Sequence, residues 1–201
     1  MHLYIHVPFC RSKCLYCGFA SSLYDPALLS DYVSAVCEEV RLWARLFRKP
    51  RLSTIYFGGG TPSLLPLWAL EAILRSVRDY CSVPADGECS LEANPESCRS
   101  LEYLKQLLAL GVNRLSVGLQ SLNNDNLGFL GRVHTAEQGQ EACVLAREAG
   151  FANLSVDLLW SLPGQDTAGW LAELESVQDF GVSHISSYAL TVEPGTGLEA
   201  R

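Results

Sequence analysis

The sequence predicts an α/β fold built around a parallel β-sheet, and three observations support this. Short apolar runs typical of strands alternate with longer segments whose apolar residues recur every three or four positions. Several helical segments begin at capping residues or end at glycine. The residues best suited to chemistry follow the strands. Alternation of this kind favours parallel strands joined by helical crossovers.

Six strands are predicted. They cover residues 2–7, 53–57, about 89–93, 113–119, 153–159 and about 183–189. Six such units fit either an open, doubly wound sheet or an incomplete barrel. In both arrangements ligands bind at the C-terminal ends of the strands, so we look for a site there.

The helix after the first strand is predicted to begin behind Asp25 as N-cap, with Pro26 at its first position. The next helix follows the second strand and the glycines GGG. Thr61 is its expected cap and Pro62 its expected first residue. Both segments carry apolar residues at helical spacing, which predicts one buried face for each helix.

Three further helices are predicted. The third covers residues 100–110 and ends before Gly111, a natural left-handed stop. The fourth opens with a capping box made by Thr135 and Gln138 and stops at Gly150. The last follows the fifth strand and ends near Gly181. These glycines therefore need no chemical role.

The composition is that of an ordinary globular protein, with 48% hydrophobic and 18% charged residues and a net charge of −7. A chain of 201 residues is long enough for one domain with a substantial core. The negative charge argues against nucleic acid as a partner. No apolar stretch reaches the roughly 20 residues of a membrane span, and no targeting peptide is recognised. We expect a cytoplasmic protein, in which thiols stay reduced.

The chain has eight cysteines. Five are scattered through apolar segments and are interpreted as small core residues: Cys37, Cys81, Cys89, Cys98 and Cys143. The other three, Cys10, Cys14 and Cys17, crowd into one loop after the first strand. Closely spaced thiols in a reducing compartment favour metal binding over disulfide formation.

The spacing C-x3-C-x2-C suits one kind of metal centre better than another. Structural zinc requires four protein ligands, usually in two pairs, and no second pair lies nearby. His6 precedes the cysteines, but it lies on a strand, where we expect it to pack or to form a hydrogen bond. Three thiolates suit a [4Fe–4S] cluster whose fourth iron is open. A zinc knuckle and a coincidental run of thiols remain alternatives.

Unusual residues collect where the strands end, and this clustering predicts a cofactor site. They are Cys10, Gly58, Gly59, Gly60, Glu92, Gln120, Asp157, Tyr188 and Ala189. Asp157 stands inside an apolar strand, where a carboxylate is costly unless paired. We expect Arg132 to be its charge partner.

The sequence resembles the radical S-adenosylmethionine (SAM) superfamily. The resemblance rests on YIHVPFCRSKCLYCGF, YFGGGTPSLL, SLEANPES, GVNRLSVGLQSLNNDNLGFLGRVH, SVDLLWSLPGQ and SSYALTVEPGT, which span nearly the whole chain. It implies an incomplete TIM-type (β/α)6 barrel with helices outside. It also implies a reduced cluster that cleaves SAM to methionine and a 5′-deoxyadenosyl radical.

The resemblance assigns roles to individual residues. Cys10, Cys14 and Cys17 match the cluster ligands, and SAM would occupy the fourth iron. The residues that match the SAM site are Tyr4, Tyr16, Gly59, Gly60, Thr61, Glu92, Gln120, Arg132, Asp157 and Ala189. Of these, Gln120, Arg132 and Asp157 match polar positions that serve a second SAM in the oxidase of one branch of the family.

That branch contains oxygen-independent coproporphyrinogen III oxidase and the HemW-type haem chaperones. The oxidase motif has a cysteine where this chain has Phe19, and it has a segment before the first strand. Both differences favour the haem chaperone. The implied partners are haem or a porphyrinogen-like tetrapyrrole, a haem-acceptor protein, and an electron donor such as flavodoxin or ferredoxin.

The alternatives are a porphyrinogen oxidoreductase and a metal-binding fragment without SAM chemistry. Relatives continue into a C-terminal domain, whereas this sequence stops at EPGTGLEAR. We therefore expect residues 1–201 to be a radical SAM core that binds a cluster but handles a tetrapyrrole poorly.

Overall fold

The computed structural model describes residues 1–200, and eight strands occur in this part of the chain. They are β1 (His2–Val7), β2 (Phe9–Cys10), β3 (Ser22–Leu23), β4 (Thr54–Gly59), β5 (Glu88–Ala93), β6 (Arg114–Gln120), β7 (Asn153–Trp160) and β8 (His184–Ala189). Six form one parallel sheet in the order β1-β4-β5-β6-β7-β8, and β2 pairs separately with β3. The six predicted strands are confirmed.

Six α-helices connect these strands. They are α1 (Pro26–Leu46), α2 (Leu67–Tyr80), α3 (Leu101–Ala109), α4 (Asn124–Leu130), α5 (Ala136–Ala149) and α6 (Thr167–Gln178). The Asp25 side chain accepts a hydrogen bond from the N–H of Ala27, as an N-cap does. The capping box of Thr135 and Gln138 forms at the start of α5.

The two faces of the sheet differ in polarity. One face is apolar on every strand of the sheet and shares a single core with helix residues such as Leu70, Leu104 and Val177. Because side chains alternate along a strand, the opposite face carries the residues between them. These residues are largely polar: Tyr4, His6, Tyr56, Ser90, Glu92, Ser116, Ser155, Asp157, Ser186 and Tyr188.

Helices therefore cover one face, which distinguishes the fold from a doubly wound sheet. The outermost strands are β1 and β8, and within residues 1–200 they do not pair with each other. The architecture is that of an incomplete barrel, with the polar face inside and helices outside. The alternative that the strand pattern left open is resolved.

Three local predictions need correction or addition. Pro62 does not begin the second helix, because residues Pro62–Leu64 form one 3-10 turn and α2 begins at Leu67. The short helix α4 is not predicted by the sequence, since its residues NDNLGFL are typical of a turn. The two-residue strands β2 and β3 are additions too; they close the ends of the cysteine loop.

The scattered cysteines lie in or against the core as expected, since Cys81, Cys89, Cys98 and Cys143 are buried and Cys37 is half-buried. All eight are free thiols. None of the helices in residues 1–200 combines the length and the apolar character required to cross a bilayer.

Candidate cofactor site

A cavity of about 450 Å³ lies at the C-terminal ends of the sheet strands, on the polar face. Its volume falls within the range of about 300–1,000 Å³ typical of small-molecule sites. Twelve of the thirteen predicted site residues line it: Cys10, Cys14, Tyr16, Cys17, Gly59, Gly60, Thr61, Glu92, Gln120, Arg132, Asp157 and Ala189. The fold thus gathers residues from distant parts of the sequence around one space.

The cysteine loop is held at both ends and near its middle. The parallel pair of β2 with β3 joins Cys10 to Leu23 and Phe9 to Ser22. Between these ends, the N–H of Leu15 donates to Leu130 O at 3.0 Å, and Leu15 O accepts from Leu198 N at 2.7 Å. These bonds fix the loop against the end of α4, so the three thiols face the cavity from a defined backbone.

The three thiols of the cysteine loop line the cavity together. Burial raises the pKa of Cys17, and the neighbouring thiols of Cys14 and Cys10 raise it further. Yet no three His, Cys, Asp or Glu side chains in residues 1–200 converge as one metal ion requires. A [4Fe–4S] cluster takes each thiolate on a separate iron atom, so a donor set of three cysteines is compatible with it.

The glycine turn after β4 lies directly against the first cysteine. A Cβ at Gly60 would approach Phe9 O to 2.7 Å and Cys10 Sγ to 2.9 Å, so only glycine fits there. Gly59 has a φ of +117°, which disfavours other residues. The expected helix N-terminus behind these glycines is absent from the described structure, because a 3-10 turn follows them. The N–H groups of this turn are already used, because Gly59 donates to Glu92 Oε2 at 3.0 Å, Gly60 donates to Val7 O at 2.7 Å and Thr61 donates to Phe9 O at 2.7 Å. The turn therefore presents neither a helix dipole nor an unused N–H from these three residues to an anion.

Glu92 connects the glycine turn to the third strand of the sheet. Its Oε1 accepts a 2.7 Å hydrogen bond from the Tyr56 hydroxyl, and its Oε2 accepts a 3.0 Å bond from the N–H of Gly59. Burial raises the pKa of Glu92, although these two bonds and His6 act in the opposite direction. The carboxylate retains lone pairs that can accept hydrogen bonds from a ligand.

Gln120 lies where the strand pairing between β6 and β7 is irregular. Its φ of +69° is unusual for a side-chain-bearing residue, and the register of the pair shifts between Gly118 and Gln120. The Gln120 side chain is buried, and its Oε1 has no hydrogen-bond partner among residues 1–200. A buried amide oxygen left unpaired in this way is an acceptor available to a ligand donor.

A buried carboxylate supports the loop that follows Gln120. Glu173 on α6 accepts hydrogen bonds from the Ser121 hydroxyl and from the N–H of Leu122, the latter at 2.9 Å. Its second oxygen accepts from Gln165 at 3.4 Å. This network ties the end of β6 to α6, and no sequence pattern singles out Glu173.

The expected pair of Arg132 with Asp157 is wrong. Both residues are described, and no ion pair joins them. Asp157 instead accepts a 3.2 Å hydrogen bond from the Ser116 hydroxyl. Burial raises the pKa of Asp157 to about 6, and the charge of Glu92 adds to this effect.

Arg132 forms its hydrogen bonds with other partners. Its Nη1 donates to Cys14 Sγ at 3.4 Å, and its Nη2 donates to Asn94 Oδ1 at 2.8 Å and to Gly118 O at 2.9 Å. Sequence alone marks Asn94 only as a turn residue. The available signal is its position directly after the third strand, where other site residues also lie.

Tyr4 is the predicted site residue that the cavity does not include. It lies on β1 at the sheet edge with 56% of its surface exposed, its ring stacks on Tyr56, and its hydroxyl bonds to His6 at 3.1 Å. It lines a different groove, between β1 and α1. A direct ligand contact by Tyr4 is therefore not supported by this geometry.

Tyr16 and Ala189 both line the cavity. Tyr16 packs against the small cluster of Leu130, Leu159 and Leu162, and burial raises the pKa of its hydroxyl. Ala189 ends β8, in register with Trp160. Both positions agree with what the sequence placed there, while the roles of these residues stay predictions.

Comparison with protein families gives one match. The sequence profile of the Radical SAM superfamily matches residues 4–176. Among curated proteins, "Heme chaperone HemW" of Synechocystis sp. is 37% identical over 199 residues, covering 96% of this chain and 48% of that protein. "Radical S-adenosyl methionine domain-containing protein 1, mitochondrial" of Mus musculus is 39% identical over 201 residues, covering 99% of this chain and 45% of that protein.

A solved structure shows the same fold. The coproporphyrinogen III oxidase HemN of Escherichia coli, described as a radical SAM enzyme, superimposes with a TM-score of 0.86 at 29% identity. The match covers 96% of this chain and 44% of that one. The chain thus spans about half the length of the curated relatives it matches.

Proposed function

The chain belongs to the radical SAM superfamily, and from this membership we propose that Cys10, Cys14 and Cys17 bind a [4Fe–4S] cluster and that the adjoining cavity binds SAM. One observation carries the proposal. The three cysteines, in the order that the family uses, line the same cavity as Gly59, Gly60 and Glu92. A donor set of three thiolates suits a [4Fe–4S] cluster with one open iron, whereas structural zinc usually takes four protein ligands.

When bound, the reduced cluster supplies one electron to the sulfonium of SAM. The chain's own residues position the ligand. Gly60 lets the turn after β4 lie directly against the cysteine loop at the edge of the cavity, because a Cβ there would meet Phe9 O and Cys10 Sγ. Glu92 would accept hydrogen bonds from an ammonium group or a ribose hydroxyl, and the unpaired Oε1 of Gln120 would accept another.

At the level of the whole protein, we propose a HemW-like haem chaperone that passes haem to acceptor proteins in the cytoplasm. The curated relatives named for this activity are its support, together with Phe19 in place of the oxidase cysteine. In this proposal residues 1–201 supply the cluster and SAM core. The electron donor would be a flavodoxin or a ferredoxin.

A second candidate function is oxidation of a porphyrinogen-like substrate. The structural similarity to the E. coli oxidase favours it, because the two folds agree over nearly the whole chain. Both candidates need the same cluster and SAM, so they differ in what happens to the tetrapyrrole.

The first experiment tests the shared core. The protein is reconstituted anaerobically with iron and sulfide, and its iron content, visible spectrum and response to SAM are measured. We expect four irons per chain and a spectrum that changes with SAM. Cys10→Ala, Cys14→Ala and Cys17→Ala should each lose most of the cluster. The matched control Cys37→Ala, a half-buried thiol outside the cavity, should retain it. Binding of zinc alone, or a cluster spectrum that does not change when SAM is added, would contradict the proposal and would favour a metal-binding module without SAM chemistry.

The second experiment separates the two candidates. Haemin is titrated into the reconstituted chain and, in parallel, into the HemW of Synechocystis sp.. In a separate reaction coproporphyrinogen III and SAM are supplied under reducing conditions. Release of carbon dioxide with formation of 5′-deoxyadenosine would favour the oxidase. Haemin binding without carbon dioxide release would favour the chaperone, and tight stoichiometric binding would contradict the expectation that residues 1–201 handle a tetrapyrrole poorly.

A further inference from the structure

A continuous chain of four hydrogen bonds joins Sγ of Cys10 to Sγ of Cys14. Thr61 Oγ1 donates to Cys10 Sγ at 3.8 Å, and Asn94 Nδ2 donates to Thr61 Oγ1 at 3.1 Å. Arg132 Nη2 donates to Asn94 Oδ1 at 2.8 Å, and Arg132 Nη1 donates to Cys14 Sγ at 3.4 Å. Three side chains, from the segments that follow β4, β5 and α4, therefore bridge two of the three thiols.

The direction of every hydrogen in this chain follows from the chemistry of arginine. A guanidinium only donates, so the amide oxygen of Asn94 must face Arg132. The amide nitrogen of Asn94 must then face Thr61, whose oxygen accepts from it. The Thr61 hydroxyl hydrogen is left free to point at Cys10. Arg132 thus determines the orientation at both ends, and both ends deliver a donor to sulfur.

The network is held rigidly enough to keep this orientation. Thr61 is 4% exposed, and its own N–H donates to Phe9 O at 2.7 Å. Arg132 is further anchored by Gly118 O at 2.9 Å. Because the donors are fixed by packing and by further hydrogen bonds, water competes with them less than it would with exposed side chains.

We infer that Asn94 is a positioning residue that links Arg132 to Thr61 and so directs the Thr61 hydroxyl onto Cys10, and that the donors from Thr61 and Arg132 to the thiols raise the reduction potential of the bound cluster. The inference rests on the proposed function, in which these thiols are cluster ligands. Hydrogen bonds and positive charge at a ligating sulfur stabilise the reduced, more negative cluster. The charged donor on Cys14 should have the larger effect, since charge-assisted bonds are stronger than neutral ones.

The inference also changes the role expected of Arg132. The family resemblance places it among residues that contact SAM. In this structure both terminal nitrogens of its guanidinium are engaged by Cys14, Asn94 and Gly118. Arg132 would therefore act chiefly through the cluster ligand, since among its guanidinium nitrogens only the buried Nε has no hydrogen-bond partner among residues 1–200.

A pair of conservative substitutions tests the network. Asn94→Asp keeps the acceptor for Arg132 but has no hydrogen to donate to Thr61, so the threonine hydroxyl would turn from Cys10 to the new carboxylate. Thr61→Val removes the same donor directly, whereas Thr61→Ser retains it. Arg132→Met removes the charged donor to Cys14 while keeping a side chain of similar length.

The measurement is the midpoint potential of the reconstituted full chain without SAM, from a redox titration followed by visible absorbance and electron paramagnetic resonance. We expect Arg132→Met to lower the potential most, Thr61→Val and Asn94→Asp to lower it by smaller amounts, and Thr61→Ser to match the wild type. When Thr61→Val is combined with Asn94→Asp, it should add no further shift, because the bond it removes is already lost. This double-variant comparison separates the lost bond from the charge added by aspartate.

The inference is overturned if Thr61→Val and Arg132→Met leave the potential at the wild-type value, or if Thr61→Val shifts the potential as much in the presence of Asn94→Asp as it does alone. If the Asn94 or Arg132 variant does not fold, as judged by circular dichroism, the comparison of Thr61→Val with Thr61→Ser tests the inference by itself, since valine and serine are close in size to threonine. A wild-type chain that takes up no iron and sulfide would instead refute the proposed function.

Discussion

Oε2 of Glu92 accepts a 3.0 Å hydrogen bond from the backbone N–H of Gly59, which joins the glycine turn after β4 to the neighbouring strand β5. The other carboxylate oxygen is bonded to the Tyr56 hydroxyl. One side chain therefore fixes the backbone at the cavity floor and still faces the space where we propose that SAM binds.

Replacing this carboxylate tests both roles. Glu92→Gln puts an amide NH₂ against either the Gly59 N–H or the Tyr56 hydroxyl, so one donor loses its acceptor. We expect a loss of about 1–3 kcal/mol in the free energy of unfolding and SAM binding weakened about tenfold or more. Urea unfolding and equilibrium dialysis measure the two effects. Glu88→Gln, on the same strand and also half-buried, is the control. Equal losses of SAM affinity in both variants would contradict the prediction.

Asp157 should make stability depend on pH. Its pKa is raised to about 6, chiefly by burial and then by Glu92, whereas an unfolded aspartate ionises near 3.9. Between these values the folded state keeps a proton that the unfolded state has released. The free energy of unfolding therefore falls as pH rises from about 4 to about 6, by roughly 3 kcal/mol from this residue.

Asp157→Asn removes that penalty. The variant should be more stable than the wild type by about 1–3 kcal/mol at pH 8, and the gain should vanish near pH 4. Urea unfolding of the cluster-free protein at both pH values checks this. Asp86→Asn, an exposed loop substitution, should show no such difference. A gain of equal size at pH 4 and pH 8 would show that ionisation of Asp157 is not its cause.

Gly59 and Gly164 both have a positive φ, and comparing them separates the cost of the backbone conformation from the cost of a steric clash. Gly59→Ala introduces a Cβ at 2.7 Å from the His6 ring and 2.9 Å from Val7 O, in a backbone with φ of +117°. Gly164 also has a positive φ, +76°, but no neighbouring atom lies within 4 Å of its Cβ position. We expect Gly164→Ala to cost about 1 kcal/mol and Gly59→Ala at least about 2–3 kcal/mol. Chemical denaturation of both variants gives the difference, and equal costs would disprove the steric contribution.

We expect the Glu173 carboxylate, which supports the loop after Gln120, to stabilise the fold. Glu173→Ala leaves the Ser121 hydroxyl and the Leu122 N–H without their acceptor, which should cost about 3 kcal/mol. For a chain of this size that corresponds to a fall of roughly 6–12 °C in Tm. Glu175→Ala, exposed on the same helix, should change Tm little. Differential scanning calorimetry makes the measurement, and similar melting temperatures for the two variants would argue against the network.

The strands of the sheet are predictable because their signal is local. Each alternates apolar and polar residues or carries an unbroken apolar run, and flanking glycines and caps mark the limits of each unit. The error at Pro62 has a physical reason. A proline can open a helix, but Pro66 four residues later has no N–H to donate, so the regular helix begins only after it.

The position of the site is predictable because the C-terminal ends of parallel strands lie at the same edge of the sheet. That rule places Cys10, Glu92 and Asp157 at one rim from the sequence alone. It cannot give side-chain pairings, which depend on the twist of the sheet and on loop conformation. Arg132 and Asp157 are complementary in charge, but the arginine reaches Cys14 and Asn94. Asn94 itself carries only a local turn signal, since its partners are 33 and 38 residues away.

The order of strands in the sheet follows their order in the chain from β1 to β8. The parts of the site therefore leave the ribosome one after another during translation. The thiols of the cysteine loop leave the ribosome long before Arg132, which is 118 residues beyond Cys14. At about 5–20 residues per second, translation of that interval takes about 6–24 s. During this period the nascent cysteines lack their buried cationic neighbour, so iron and sulfide that reached the growing polypeptide would meet thiols without the positive charge that the finished protein places beside Cys14.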